Sequence, residues 1–126
     1  MSVLRKMGPH RNDGCGWSTA LAVIGGKWKT DILWELHLGR RRFGELRRLL
    51  PGISERILTL QLREMEADGI IRRQVFAEVP PRVEYSVTEF GLTLNDAVGA
   101  MSHWGKAFEA KAAGQDLTAP PLAKAG

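Results

Sequence analysis

The stretch FGELRRLLPGISERILTLQLREMEADG, residues 43–69, divides into two helical patterns around a single break. Phe43, Leu46, Leu49 and Leu50 share one face of a first helix. Pro51-Gly52 halts it, because proline lacks a backbone donor and its ring collides with the preceding turn. Ser54 then offers the short side-chain oxygen that satisfies orphan amides at a helix start. Ile57, Leu58, Leu62 and Met65 recur at the helical period, and Gly69 closes the element. A helix, a short Pro-Gly-Ile turn and a second helix are the parts of a helix-turn-helix.

Upstream, WSTALAVIGG (17–26) carries Trp17, Leu21 and Ile24 at helical spacing and ends at Gly25-Gly26. KWKTDILWELHLG (27–39) repeats the pattern with Trp28, Ile32, Leu33 and Leu36 before Gly39. Downstream the period changes to alternation: IIRRQVFA (70–77) and then Val83, Tyr85 and Val87 predict two strands. Pro80-Pro81 cannot donate to a ladder, so it marks the loop of a hairpin, or wing. Thr88 is the preferred cap of a last helix whose stripe runs Phe90, Leu94, Ala97, Val98, Met101, Trp104 and Phe108. That stripe is longer than a small domain covers, so part of it is expected to meet a second subunit.

A chain of 126 residues with 44% hydrophobic content is the size of one domain and needs no disulfide to bury a core. Residues 1–13 read as a flexible arm, 14–113 as the domain and 114–126 as a disordered tail, because both ends mix Pro, Gly and charge without period. Cys15 is the only cysteine, which rules out an intrachain disulfide or a multi-cysteine metal site and fits a reducing cytosol. No secretory signal and no apolar run near the roughly 20 residues of a membrane span are present, so a soluble cytoplasmic protein is expected.

The net charge of +4 favours a polyanionic partner without naming one. Its distribution says more, since Arg40, Arg41, Arg42, Arg47, Arg48, Arg56, Arg63, Arg72, Arg73 and Arg82 all lie mid-chain. A solvated arginine-rich surface is the plain alternative, and the second helix of the motif argues against it. Its apolar stripe leaves Glu55, Arg56, Thr59, Arg63 and Glu66 facing outward. Arginine bonds guanine O6 and N7 in the major groove, and threonine presents both a hydroxyl and a methyl, so Arg56, Thr59 and Arg63 are the candidate base readers.

Ser54, Glu55 and Arg56, at the leading end, lie nearest base edges or phosphates, with capping the stronger role for Ser54. Arg42, Arg47 and Arg48, with Arg40 and Arg41, flank the helix that crosses the sugar-phosphate backbone and would add affinity without sequence information. Arg82, just past the prolines, is placed to reach a minor groove; a water-exposed loop arginine is an equal alternative.

Nothing points to catalysis, a metal or a cofactor. Asp31 and Glu35, one turn apart beside Lys27 and Lys29, read as solvated surface charge. His10, His37 and His103 have no ligand spacing, and Gly25-Gly26-Lys27 matches neither a phosphate loop nor a dinucleotide fingerprint. Cys15 stands near a helix start and close to Arg11, both of which lower a thiol pKa, so it is either a redox or electrophile sensor or a small apolar interface residue.

The segments CGW (15–17), LAVIGGKWK (21–29), RFGELRRLLPGIS (42–54), LREMEADGII (62–71) and VPPRVEYSVTEFG (79–91) together resemble the HxlR-type regulators, over roughly Cys15 to Trp104. The resemblance implies a MarR-like winged helix-turn-helix: mainly α with a small antiparallel β-hairpin, dimerised through its N- and C-terminal helices. It also implies a recognition helix at Ser54–Asp68, a wing loop at Ala77–Arg82 and, in Cys15, a match to the N-terminal cysteine that some members use for sensing. A second cysteine is missing, so an intrasubunit disulfide is excluded and intersubunit bridging or adduct formation stays open.

On this reading the protein is a non-enzymatic DNA-binding regulator. A C2 dimer sets its recognition helices about 34 Å apart, so the operator is expected to be an imperfect palindrome. Repression is the commoner outcome in the family; effector, operator and target genes stay open. Two other classes are kept: a small-molecule-binding protein with a pocket lined by Trp17, Trp28, Trp34 and Trp104, and a winged-helix protein-interaction module.

Overall fold

A computed structural model describes residues 16–114. The elements are α1 (Trp17–Ile24), α2 (Lys29–Leu38), β1 (Arg41–Arg42), α3 (Phe43–Leu49), α4 (Glu55–Ala67), β2 (Ile71–Phe76), β3 (Arg82–Val87) and α5 (Glu89–Ala112). They fall into two compact units, one through Leu92 and the other from Thr93. The arm, Cys15 and the tail beyond Gly114 lie outside the described residues.

In the first unit, the core joins Ile32, Leu33 and Leu36 of α2, Leu46 of α3, Leu58, Leu62 and Met65 of α4, and Ile71 and Tyr85 of the sheet. Leu50, Ile53 and Ile70, from the connecting turns, complete it. The buried positions of α2 and α4 keep the predicted helical phase, because only one stripe of each helix can turn from water at once. Burying such a side chain contributes about 1.5–3 kcal/mol, which is what holds short helices with little intrinsic stability.

The helix-turn-helix is set by local chemistry. Gly52 takes φ +92°, a conformation costly for a residue with a Cβ, and lets the chain reverse after α3. Ile53 N–H donates to Leu50 O (3.2 Å), and Ser54 Oγ then accepts from Ile57 N–H (3.1 Å) as the cap of α4. At the far end Gly69 N–H donates to Glu66 O and Ile70 N–H to Met65 O, both at 3.0 Å, with Gly69 at φ +79°. This is a Schellman closure, which turns the chain straight from α4 into β2.

The sheet is antiparallel in the order β1-β3-β2, with Ile71 opposite Val87, Phe76 opposite Arg82, and Arg41 opposite Tyr85. The wing is therefore the predicted hairpin enlarged by a third strand. Two residues cannot display alternation, so β1 leaves no trace in the hydrophobic pattern; its pairing to β3 creates it.

Thr88 caps α5 as expected: its hydroxyl donates to Gly69 O (2.6 Å) and accepts from Gly91 N–H (2.9 Å). Gly91 is the one buried residue of that helix, and a Cβ there would collide with the Ile70 carbonyl. The other unit consists, in its described residues, of the rest of α5, where Trp104 and Phe108 stack with centroids 5.4 Å apart. Along α5, Phe90, Leu92, Met101, Trp104 and Phe108 are exposed, and α1 buries none of its residues, with Trp17 and Leu21 open to water. No helix among the described residues is long and apolar enough to cross a membrane.

Candidate nucleic-acid interface

The outward face of α4 is the centre of the site. Glu55, Arg56, Arg63 and Glu66 are exposed and Thr59 is half-buried. Glu55, Arg56, Thr59, Leu60 and Arg63 line one shallow concavity. Arg56 and Arg63 stand seven residues apart, about 10 Å along the helix at its 1.5 Å rise, or some three base-pair steps. Leu60 is not among the candidates that the polar pattern of the outer face singles out. It is 45% exposed, and its place four residues after Arg56 was the available signal.

The basic residues around α3 differ in how firmly they are held. Arg47 Nη1 pairs with Glu55 Oε2 at 3.2 Å, with both side chains open to solvent. Such a pair contributes about 0–1 kcal/mol and yields readily to a phosphate. Arg48 is exposed, as is Arg42, whose backbone N–H donates to Glu45 Oε1 (2.7 Å) at the start of α3. Arg40 reaches Glu84 only at 3.8 Å, and Arg41 lies 3.8 Å from the Glu35 carboxylate, so Glu35 is ion-paired rather than simply solvated.

Arg82 sits at the first position of β3, at the base of the wing loop. Its guanidinium pairs with Glu78 (2.8 Å) and Glu84 (2.7 Å) and lies 3.9 Å from the Phe76 ring centroid. The hydrogen bond with Glu78 raises its pKa further above the usual arginine range. Val79, at the tip of the loop, is fully exposed.

Beside this face, Lys29 Nζ meets Glu64 Oε1 at 2.7 Å, with side chains only 4% and 11% exposed. Lys29 is therefore buried, although it stands in the sequence beside charges expected to be solvated. It precedes Ile32, Leu33 and Leu36 by three, four and seven residues, so the phase of the α2 stripe already carried it inward. The pair ties the start of α2 to the flank of α4 next to Arg63.

In the first unit, Trp28 and Trp34 line a groove with Lys27, Asp31, Leu49 and Pro51. Among the described residues no group of three His, Cys, Asp or Glu side chains is placed to hold a metal ion.

Comparison with known proteins agrees with this geometry. A family model described as HxlR-like helix-turn-helix matches residues 23–113. The chain is 52% identical over 97 residues to the uncharacterised HTH-type transcriptional regulator YdeP of Bacillus subtilis, covering 77% of this chain and 76% of that one. Among solved structures it is similar to a MarR-family transcriptional regulator from Enterococcus faecalis V583 (TM-score 0.74, 46% identity, 84% of this chain and 97% of that one). It is also similar to the redox regulator HypR in its oxidised form (TM-score 0.69, 53% identity, 74% of this chain and 96% of that one).

Proposed function

The chain belongs to the HxlR-like helix-turn-helix family of transcriptional regulators, which are not enzymes, and from that premise we propose that it is a sequence-specific DNA-binding repressor acting as a homodimer on a palindromic operator. The observation that carries this reading is the row Arg56, Thr59 and Arg63 on the solvent face of a helix whose other face is locked in the core. In this proposal Arg56 and Arg63 bond guanine edges and Thr59 meets a thymine methyl. Arg42, Arg47 and Arg48 bind phosphates, and the α4 start at Ser54 and Glu55 lies nearest base edges or phosphates. Arg82 serves the wing, its carboxylate partners giving way to, or holding it beside, the minor groove.

Dimerisation is supported by the apolar residues that the chain exposes on α1 and α5. Cys15, as the only thiol, is the place where an oxidant or electrophile would act, through an intersubunit disulfide or an adduct. That a similar protein bears the name redox regulator supports the same signal class.

The test is selection of bound fragments from genomic DNA by the purified full chain, once reduced and once mildly oxidised. A palindromic consensus bound in only one state supports both the regulator and Cys15 as its sensor. The same consensus in both states removes Cys15 from the mechanism, and no enrichment in either overturns the DNA-binding reading.

A further inference from the structure

The groove beside the helix-turn-helix, about 390 Å³ in volume, runs between α2 and the turn that follows α3 and has no part in the DNA-reading face. That volume is at the lower end of small-molecule sites. Its chemistry is specific. Trp28 and Trp34 supply two indoles, Leu49 and Pro51 an apolar floor, and Asp31 and Glu35 two carboxylates. The Lys27 ammonium already lies 4.8 Å from the Trp28 ring centroid, so this indole face accepts a cation in the protein as it stands. His37 stacks on Trp34 with centroids 5.8 Å apart and steadies that ring. Glu35 lies near Arg41, which makes Asp31 the carboxylate best placed to meet a ligand's charge.

We propose that this groove binds a small planar aromatic cation, its ring system against the Trp28 and Trp34 indoles and its positive charge where the Lys27 ammonium now sits, near Asp31. The occupant would also touch the DNA-binding motif. The Trp28 ring edge lies 3.9 Å from the Cβ position of Gly52, and Pro51 forms part of the groove wall, two and three residues before the Ser54 cap. Occupancy therefore bears on the turn that sets the leading end of α4, and by linkage ligand and operator change each other's affinity by the same factor. This regulatory half rests on the DNA-binding reading; the binding site does not.

The experiment titrates the full chain, without DNA, with N-methylquinolinium, with neutral quinoline and with the anion quinoline-2-carboxylate at pH 7.5, followed by calorimetry. The cation is expected to bind once per chain and about two- to fivefold more tightly than quinoline, with the carboxylate weakest. Asp31→Asn should remove the preference for the cation, Trp34→Leu should weaken both cation and quinoline, and Lys27→Met should tighten the cation by vacating the Trp28 face. Asp31, Trp34 and Lys27 are exposed or half-exposed, so these variants keep the fold. Tighter binding of the carboxylate, looser cation binding in Lys27→Met, or indifference to Asp31→Asn and Trp34→Leu would overturn the site. Operator affinity with and without N-methylquinolinium, using Trp34→Leu to correct for direct effects on DNA, tests the regulatory half: an unchanged affinity overturns that half, and a change present only in wild type supports it.

Discussion

Helices α4 and α1 are both amphipathic in sequence, and the fold treats them in opposite ways. Inside the chain, α4 buries Leu58, Leu62 and Met65, is capped by Ser54, closes in a Schellman turn and is pinned at its flank by Lys29. By contrast α1 has no side-chain cap and no buried residue, and Trp17 and Leu21 face water. The difference separates a helix seated in the core of the first unit from one whose apolar residues stay exposed. With its inner stripe held in the core, α4 presents Arg56 and Arg63 on its exposed face, and the proposed dimer would cover the apolar residues of α1.

The largest effect that would break this contrast is expected from Lys29→Met. Removing one member of this buried ion pair should cost about 3–5 kcal/mol in urea unfolding. Replacing both partners by apolar residues should recover most of that loss, and a single variant as stable as wild type would show that the pair does not pin the helix.

Next, Leu58→Ala should destabilise by about 2–5 kcal/mol, since Leu58 is fully buried. Leu21→Ala should leave unfolding of dilute protein nearly unchanged and instead weaken self-association in sedimentation; equal losses from both would erase the distinction between the two helices.

Smaller effects sharpen the reading of α4 itself. Arg56→Ala or Arg63→Ala should lower discrimination between operator and random duplex by about 1–3 kcal/mol in competition binding, and an equal loss on both DNAs would make these residues phosphate contacts instead. Ser54→Ala should cost about 1 kcal/mol of stability with or without DNA, as expected of a cap. Arg47→Ala should hardly move stability, because its pair with Glu55 is exposed. It should weaken all duplexes alike and flatten the slope of log affinity against log salt by about 0.9.

Much of this was legible in the chain because it is written within a few residues. The Pro51-Gly52 break, the Ser54 and Thr88 caps and the phase of Leu58, Leu62 and Met65 act over one or two helical turns, so their outcome does not depend on distant neighbours. The strand β1 was not legible: Arg41 and Arg42 become a strand only because Tyr85 and Glu84 come alongside. The burial of Lys29 has its acceptor 35 positions away, in Glu64, and nothing in a window around either residue announces the other. Leu60 departs from the rule that the outward face of a helix is polar, and a polar pattern alone does not reveal it.

The sequence by itself therefore determined the helix-turn-helix, its boundaries, the wing and the face that α4 turns outward, since backbone sterics, capping and hydrophobic period are local. Only the tertiary structure decided which charges are offered and which are engaged. Arg56 and Arg63 stand open to solvent, Arg82 is clamped by Glu78 and Glu84, and Lys29 is sealed against Glu64. The physical reason is that the state of a charge depends on what surrounds it in space, and folding chooses those neighbours from the whole length of the chain.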